Sequence, residues 1–97
     1  MAITVLLEAK AKPSAGNDFL EILKEILPDT RSHDGCKEIT VYQNQDDGDV
    51  VEFVGKWEGK EKYEKYLGWR QERGDMEILA GALASEPGIR YFNLTDA

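Results

Sequence analysis

The fold is decided by the middle of the chain, CKEITVYQNQDDGDVVEFVGKW (residues 36–57), which reads as two strands joined by a turn. The first predicted strand covers residues 36–45 and the second covers residues 50–57, and both are rich in the β-branched and aromatic side chains that favour strands. The turn between them is acidic apart from Gly48, which we expect to supply the positive φ angle that tight hairpin turns require. An antiparallel pair therefore forms the centre of the predicted fold.

A strand and a helix precede this hairpin. Residues 3–12 alternate between apolar and other side chains over most of their length, which is typical of a strand, and Pro13 ends it. Apolar residues at positions 19, 22, 23, 26 and 27 then recur with the spacing of a helix that buries one face. We expect Ser14 or Asn17 to cap this helix and Pro28 to break or kink it, with a short continuation through residues 30 and 31.

A second helix and a last strand follow the hairpin. The helix is predicted over residues 60–73, with one stripe that carries Tyr63, Tyr66, Leu67 and Arg70. Gly74 interrupts this helix, and apolar residues at positions 76, 79 and 83 predict one or two further turns. A turn at residues 87–88 leads into a fourth strand over residues 89–94.

The element order β-α-β-β-α-β predicts an α+β, ferredoxin-like fold, in which a four-stranded antiparallel sheet carries two helices on one face. The chain has 97 residues, so we expect a single domain over residues 1–97. The strands carry apolar residues on both faces, since Val51 and Phe53 alternate with Val50 and Val54. Because two helices cover only one face, we expect a second copy of the sheet to cover the other, which makes the protein a homodimer.

Composition argues against several partners and cofactors. Lys and Arg number 12 against 19 Asp and Glu, and the net charge of −7 disfavours nucleic acid and anionic membranes as partners. One histidine, His33, and one cysteine, Cys36, leave no internal disulfide and no two-histidine metal site. The sequence has no dinucleotide or phosphate-binding glycine motif, no transmembrane run and no signal peptide. We therefore expect a cytoplasmic protein that binds no metal and no cofactor.

Aromatic side chains provide the candidate site. Trp57, Tyr63, Tyr66 and Trp69 fall within thirteen positions of the sequence, next to Arg70. Rings, phenols and one cation suit a flat aromatic or quinone-like ligand with an ionisable oxygen, which the guanidinium and a phenol would stabilise. If Arg70 has this role, its replacement by alanine impairs activity and leaves the melting temperature nearly unchanged. The alternative interpretation is that the rings pack in the core and the arginine only reaches the surface along them.

Two further candidates lie between the first helix and the second strand. His33 is expected near the entrance of the pocket as a proton acceptor, because imidazole titrates near neutral pH, and the alternative is an exposed loop histidine. Cys36 is close enough in sequence to pair with His33 as a nucleophile. The alternative is a small apolar residue at the start of a strand.

Three short motifs, in this order and spacing, resemble those of a known family. Ala11-Lys12-Pro13 is followed by a helix that contains Phe19-Leu20, Leu27-Pro28-x-Thr30-Arg31 leads to Gly35-Cys36, and Phe53-x3-Trp57-Glu58 ends a strand before a helix. Over nearly its whole length the chain resembles the antibiotic biosynthesis monooxygenase family of dimeric α+β barrels.

The resemblance implies a homodimer with one pocket per subunit, between the sheet and the helices. In the better-known members the pocket holds a phenol, quinol or anthrone that reacts with dioxygen without flavin, haem or metal. The substrate's own carbanion or phenolate supplies the electron, so the protein deprotonates the substrate and keeps it dry. Trp57 matches the family's tryptophan at the end of the third strand. Tyr66 stands where many members have a histidine, and Leu7 stands where haem-degrading relatives have an asparagine, which disfavours haem degradation.

The leading hypothesis is a cofactor-independent monooxygenase that acts on a small aromatic, quinol or polyketide-like substrate. Its catalytic candidates are Trp57, Tyr66, Arg70 and His33. Its substrate-binding candidates are Tyr63, Trp69, Leu7 and Phe53. A non-catalytic module that binds a small hydrophobic metabolite is the alternative, because a tyrosine replaces the usual histidine. An isomerase or degradative enzyme on the same scaffold is a third possibility.

Overall fold

The computed structural model describes residues 2–97, and its elements follow the predicted order with one additional helix. The strands are β1 (Ile3–Lys10), β2 (Cys36–Gln43), β3 (Val50–Trp57) and β4 (Gly88–Phe92). The helices are α1 (Gly16–Arg31), α2 (Lys60–Arg73) and α3 (Asp75–Ala82). The four strands form one antiparallel sheet in the order β2-β3-β1-β4. The predicted α+β, ferredoxin-like architecture is confirmed.

Side chains alternate between the two faces of the sheet. On the face towards the helices, Leu7 lies opposite Phe53 of β3 and Ile89 of β4. The core on this side has two clusters. One joins strand residues to α1, and its buried members are Ala9, Ala11, Phe19, Leu23, Leu27 and Val51. The other joins β1 and β3 to α2 through Val5, Trp57 and Tyr63.

The opposite face of the sheet is partly apolar and carries no helix. Leu6 pairs with Val54 there, and both are half-buried. Tyr42 and Phe92 point to the same side and are 58% and 44% exposed. The expectation that a second copy covers this face stays a prediction. None of the helices in residues 2–97 is long and apolar enough to cross a membrane.

Helix α1 differs from the prediction at both ends. Neither Ser14 nor Asn17 caps it, because the carboxylate of Asp49 accepts the N–H groups of Gly16 (2.9 Å) and Ser14 (3.0 Å) from across the fold. Pro28 does not break the helix, which continues to Arg31. The proline lies on the exposed side of the helix, and the buried residues around it hold the last turn against the core.

The hairpin between β2 and β3 also closes differently. Gly48 does not have a positive φ; in residues 2–97 the glycines with positive φ are Gly35 and Gly74. The connection is a longer loop, in which the side-chain oxygen of Asn44 accepts the N–H groups of Asp46 (2.8 Å) and Asp47 (3.0 Å). That loop needs no left-handed residue, and β2 consequently ends at residue 43 rather than 45.

Three smaller differences follow from local hydrogen bonding. β1 ends at residue 10 because the next N–H groups, of Ala11 and Lys12, donate to Asp49 and Ala82 outside the sheet. β4 ends at Phe92, so Leu94 lies beyond the strand. The turns predicted after Gly74 form the separate helix α3, because this glycine has a left-handed conformation (φ 82°) that ends α2.

Candidate functional site

A cavity of about 380 Å³ lies between the helical side of the sheet and the three helices. Residues of β1, β2, β3, α1, α2, α3 and the segment after α3 line it. Most of the lining is aliphatic or aromatic, and its polar members are Tyr63, Tyr66, Arg70 and Glu86, of which Glu86 is exposed. A cavity of this size and character is typical of sites that bind small, largely apolar molecules.

Six of the eight candidate residues line this cavity, and two do not. The six are Leu7, Phe53, Trp57, Tyr63, Tyr66 and Arg70. They meet because the alternation of β1 and β3 turns Leu7, Phe53 and Trp57 towards the helices, and the stripe of α2 faces them. His33 and Trp69 pack close by but are not part of the lining that residues 2–97 provide.

Arg70 is buried and its hydrogen-bonding capacity is almost filled by the protein itself. Its side chain is 2% exposed. Nε donates to the hydroxyl of Tyr66 (2.9 Å), and Nη1 donates to Oδ2 of Asp75 (2.8 Å). Nη2 donates both to the carbonyl of Ile26 (2.8 Å) and to Oγ1 of Thr30 (2.7 Å). The guanidinium therefore ties α2 to α1 and α3.

The electrostatics of Arg70 follow from this environment. Burial opposes its charged form, but the hydrogen bonds and charges of Tyr66 and Asp75 outweigh burial and raise the pKa of the guanidinium above its ordinary value. Its positive charge is balanced by Asp75, which also lies 3.2 Å from Nε of Arg73. This environment leads us to expect that replacing Arg70 by alanine lowers stability, because removing one partner of a buried ion pair leaves the other charge unpaired.

Tyr66 provides the polar corner of the cavity. Its hydroxyl accepts from Arg70 and lies 2.6 Å from Oγ1 of Thr30. Its ring packs against Trp57, with centroids 5.0 Å apart. The position that many family members give to a histidine is thus occupied by a phenol whose oxygen is fixed by two partners.

His33 packs against the aromatic cluster from outside the cavity. Its ring centroid is 5.3 Å from that of Tyr66 and 5.0 Å from that of Trp69. Trp69 in turn lies between the guanidinium groups of Arg70 and Arg73, each 4.8 Å from its ring centroid. Both rings pack on the outer side of the cluster. For Trp69 this agrees with the packing interpretation, and His33 is half-buried rather than the exposed loop histidine of the alternative.

Two other groups are poorly suited to proton transfer or nucleophilic attack. Burial raises the pKa of Tyr63, so this phenol stays neutral at physiological pH. Burial also raises the pKa of the Cys36 thiol, which keeps it in the unreactive protonated form. The hydrogen bond that links Cys36 to His33 runs between backbone atoms (3.1 Å), so the nucleophilic pair is not formed and the apolar interpretation of Cys36 fits better.

Sequence reasoning missed three polar residues of this region. Thr30 belongs to one of the family-like motifs and to the predicted end of the first helix, but its sequence context gives it no site role; in the structure it is fully buried and contacts both Arg70 and Tyr66. Asp75 and Glu86 lie in segments with no motif, and only the tertiary structure brings them to the site. Among residues 2–97, no three His, Cys, Asp or Glu side chains lie close enough to hold a metal ion.

Comparisons with known proteins agree on the fold. A crystal structure of a conserved protein from Methanosarcina mazei Go1 superposes with a TM-score of 0.85 at 19% identity, covering 98% of this chain and 94% of that one. An antibiotic biosynthesis monooxygenase gives 0.84 at 14% identity, covering 96% and 98%. SnoaB, a cofactor-independent oxygenase from Streptomyces nogalater, gives 0.83 at 10% identity, covering 99% and 95%. At these identities the likeness concerns the fold alone.

The family assignment rests on sequence. No curated protein matches the chain. The sequence model of the antibiotic biosynthesis monooxygenase family, however, matches residues 2–71, a range that includes β1 to β3, α1 and most of α2. This range also holds every candidate residue that lines the cavity. The chain belongs to the antibiotic biosynthesis monooxygenase family.

Proposed function

We propose that the protein is a monooxygenase that oxidises a small aromatic, quinol or polyketide-like molecule with dioxygen and without a bound cofactor. The observation that carries this proposal is the largely apolar cavity of about 380 Å³, whose few polar lining residues include Tyr66. A flat ligand would lie against Trp57 and Phe53 and present a single oxygen to the phenol. Membership of the family and the shared fold with a cofactor-independent oxygenase support the same assignment.

The chemistry requires little from the protein. The substrate loses a proton next to a phenol or carbonyl, and the resulting anion gives one electron to dioxygen. The radical pair combines to a peroxide anion, which takes back the abstracted proton. The hydroperoxide then loses water, so that a CH₂ group, of an anthrone or of the keto tautomer of a quinol, and O₂ become a C=O group and H₂O. The tyrosine hydroxyl would stabilise the anionic oxygen of the substrate, and the apolar walls would exclude water. We assign the proton to Glu86, which is the one acidic residue of the lining within residues 2–97 and is itself exposed.

Oxygen uptake tests the proposal. Purified protein is mixed with anthrone and with 1,4-naphthohydroquinone in air-saturated buffer, and uptake is compared with the uncatalysed rate of each compound. We expect uptake above that rate with at least one of them, with product formed in equal amount. Trp57→Phe and Tyr66→Phe should lower kcat. Tyr42→Phe is the matched control, because Tyr42 is exposed on the opposite face of the sheet.

Other results would favour the alternatives. Saturable binding of these compounds with no uptake would indicate a non-catalytic binding module. Proton exchange next to a carbonyl without oxygen consumption, followed by NMR, would indicate an isomerase. Either result would contradict the oxygenase proposal.

A further inference from the structure

Thr30 is the most completely enclosed polar side chain next to the cavity. It lies on α1, is 0% exposed, and its hydroxyl cannot be satisfied by water. Oγ1 accepts a hydrogen bond from Nη2 of Arg70 (2.7 Å) and lies 2.6 Å from the hydroxyl of Tyr66. The proton of Thr30 must itself be donated, because a buried unpaired hydroxyl is costly.

The direction of that donation follows from the partners available. Nη2 of Arg70 has no lone pair to accept a proton. Within residues 2–97, the Tyr66 oxygen is the one acceptor at hydrogen-bond distance from Oγ1 of Thr30. The hydroxyl of Thr30 therefore donates to Tyr66.

This donation determines the hydrogen bonding of the Tyr66 hydroxyl. Its oxygen accepts from Thr30 and also from Nε of Arg70 at 2.9 Å, which uses both of its lone pairs. Its own proton is left without a protein partner, and because Tyr66 lines the cavity, a bound ligand is the acceptor that this proton can reach. Donors on an oxygen also polarise its O–H bond, so this proton becomes a stronger hydrogen-bond donor.

We infer that Thr30 is a positioning residue which, together with Arg70, makes the Tyr66 hydroxyl a donor that recognises an acceptor oxygen of the ligand. The inference deepens the proposed function, on which its link to catalysis rests. Arg70 itself acts through Tyr66, because Asp75 and the carbonyl of Ile26 take up its other hydrogen bonds. The site thus selects a carbonyl or oxyanion and disfavours a ligand that offers only an N–H donor at this position.

Three tricyclic probes of the same shape test this selection by equilibrium dialysis. Fluorene, 9-fluorenone and carbazole carry CH₂, C=O and N–H at the same bridging position. One additional hydrogen bond corresponds to about a three- to tenfold change in affinity. We expect 9-fluorenone to bind the wild-type protein tighter than fluorene by that factor and carbazole to gain nothing. The carbonyl stretch of bound 9-fluorenone should also shift to lower wavenumber.

Variants assign the effect to its residues. Tyr66→Phe should remove the advantage of 9-fluorenone and the shift of its carbonyl stretch, while Tyr42→Phe should keep both. Thr30→Val removes the hydroxyl and frees one lone pair of Tyr66, so carbazole should gain affinity and 9-fluorenone should lose it. Thr30→Ser should restore the wild-type preference, and circular dichroism verifies that each variant is folded.

The wild-type comparison is decisive without any variant. Equal binding of 9-fluorenone and fluorene, or tighter binding of carbazole than of fluorene, would overturn the inference, because the tyrosine oxygen would then not be fully occupied by donors. An unchanged preference in folded Thr30→Val would overturn the role of Thr30. Binding of these probes needs no turnover. The preference for 9-fluorenone can therefore be observed even if the protein shows no oxygen uptake, so that failure of this inference and failure of the oxygenase proposal are distinguishable.

Discussion

At position 70 a single guanidinium connects α2 with α1 and α3. Arg70→Ala would leave Asp75 and the hydroxyls of Thr30 and Tyr66 without their shared donor in a buried place. Breaking a buried ion pair costs about 3–5 kcal/mol, so we expect the free energy of unfolding to fall by that amount in denaturant titrations. Arg73→Ala is the control, because Arg73 is 49% exposed and its pair with the same carboxylate should contribute less than about 1 kcal/mol. Equal stability of Arg70→Ala and wild type would contradict this account.

Glu86 has a role only if the substrate must lose a proton inside the cavity. As the one carboxylate of the lining within residues 2–97, it is where we expect that proton to go. Glu86→Gln should lower kcat for oxygen uptake about 100-fold or more, since general-base catalysis contributes roughly 10²–10⁴-fold. It should leave the affinity for 9-fluorenone nearly unchanged. Glu77→Gln, on the exposed side of α3, serves as the control. An unaltered kcat would show that the substrate ionises without this residue.

At the scale of elements, two helical glycines differ in whether the structure has room for a side chain. Gly16 begins α1 against the hairpin loop, and a Cβ atom there would overlap the carbonyl oxygen of Gly48, which is backbone and cannot rotate away. Gly68 lies inside α2 with open space around it. We expect Gly16→Ala to lower the melting temperature and Gly68→Ala to raise it. For Gly68→Ala the free energy of unfolding should rise by about 1 kcal/mol, because alanine has the higher helix propensity. If both substitutions stabilised the protein, the loop around Gly48 would have to move away from α1, and the close contact between Gly16 and Gly48 would not be maintained in solution.

The connection between α1 and β2 is linked to α2 by a surface ion pair. Nζ of Lys62 lies 2.6 Å from Oδ2 of Asp34, and this hydrogen bond together with the lysine's charge lowers the pKa of the Asp34 carboxyl below its ordinary value. A carboxyl with a lowered folded-state pKa contributes stability above its unfolded pKa, and this contribution is lost as the pH falls through the folded pKa. We therefore expect a small loss of stability on acidification below about pH 4 that comes from this pair.

Carboxyl NMR titration measures this effect at Asp34 directly. In the wild-type protein its midpoint should lie below that of an unpaired aspartate, and in Lys62→Met it should move upward. The acid-side loss of stability should become smaller in the same variant. A midpoint that does not respond to Lys62→Met would mean that the ion pair is not maintained in solution.

At the scale of the whole molecule, the face of the sheet that carries no helix exposes apolar side chains. We propose that a second copy of this chain covers it. Leu6 and Val54 are paired at its centre, and Tyr42 and Phe92 leave further apolar surface exposed nearby. Val54→Glu places a charge in this patch without touching the helix-side core, so we expect a dimer to become a monomer in light scattering at micromolar concentration. Gln71→Glu, which adds the same charge on the exposed side of α2, should remain dimeric. A monomeric wild-type protein would refute the proposal.

Much of the fold could be read from local sequence patterns. The alternation in β1 and β3 and the helical spacing of Phe19, Leu23 and Leu27 depend on chain geometry alone, so strand faces and the buried side of α1 were predictable. For the same reason the side chains that line the cavity were foreseen on three elements. Two candidates fell outside it: His33 lies in the connection between α1 and β2, and Trp69 is not on the stripe of α2 that faces the sheet.

The remainder depended on contacts between residues far apart in the chain. Asp49 accepts a hydrogen bond from the start of α1, 33 positions away, and Arg70 donates one to Thr30, 40 positions away. No local sequence pattern predicts either contact. The sequence by itself determined the family, the order of the elements and which side chains face the helices. Only the tertiary structure decided that the guanidinium of Arg70 donates its hydrogen bonds to Asp75, Thr30 and Tyr66 rather than to a ligand. A buried charge takes whichever partners the packed fold brings within hydrogen-bond distance.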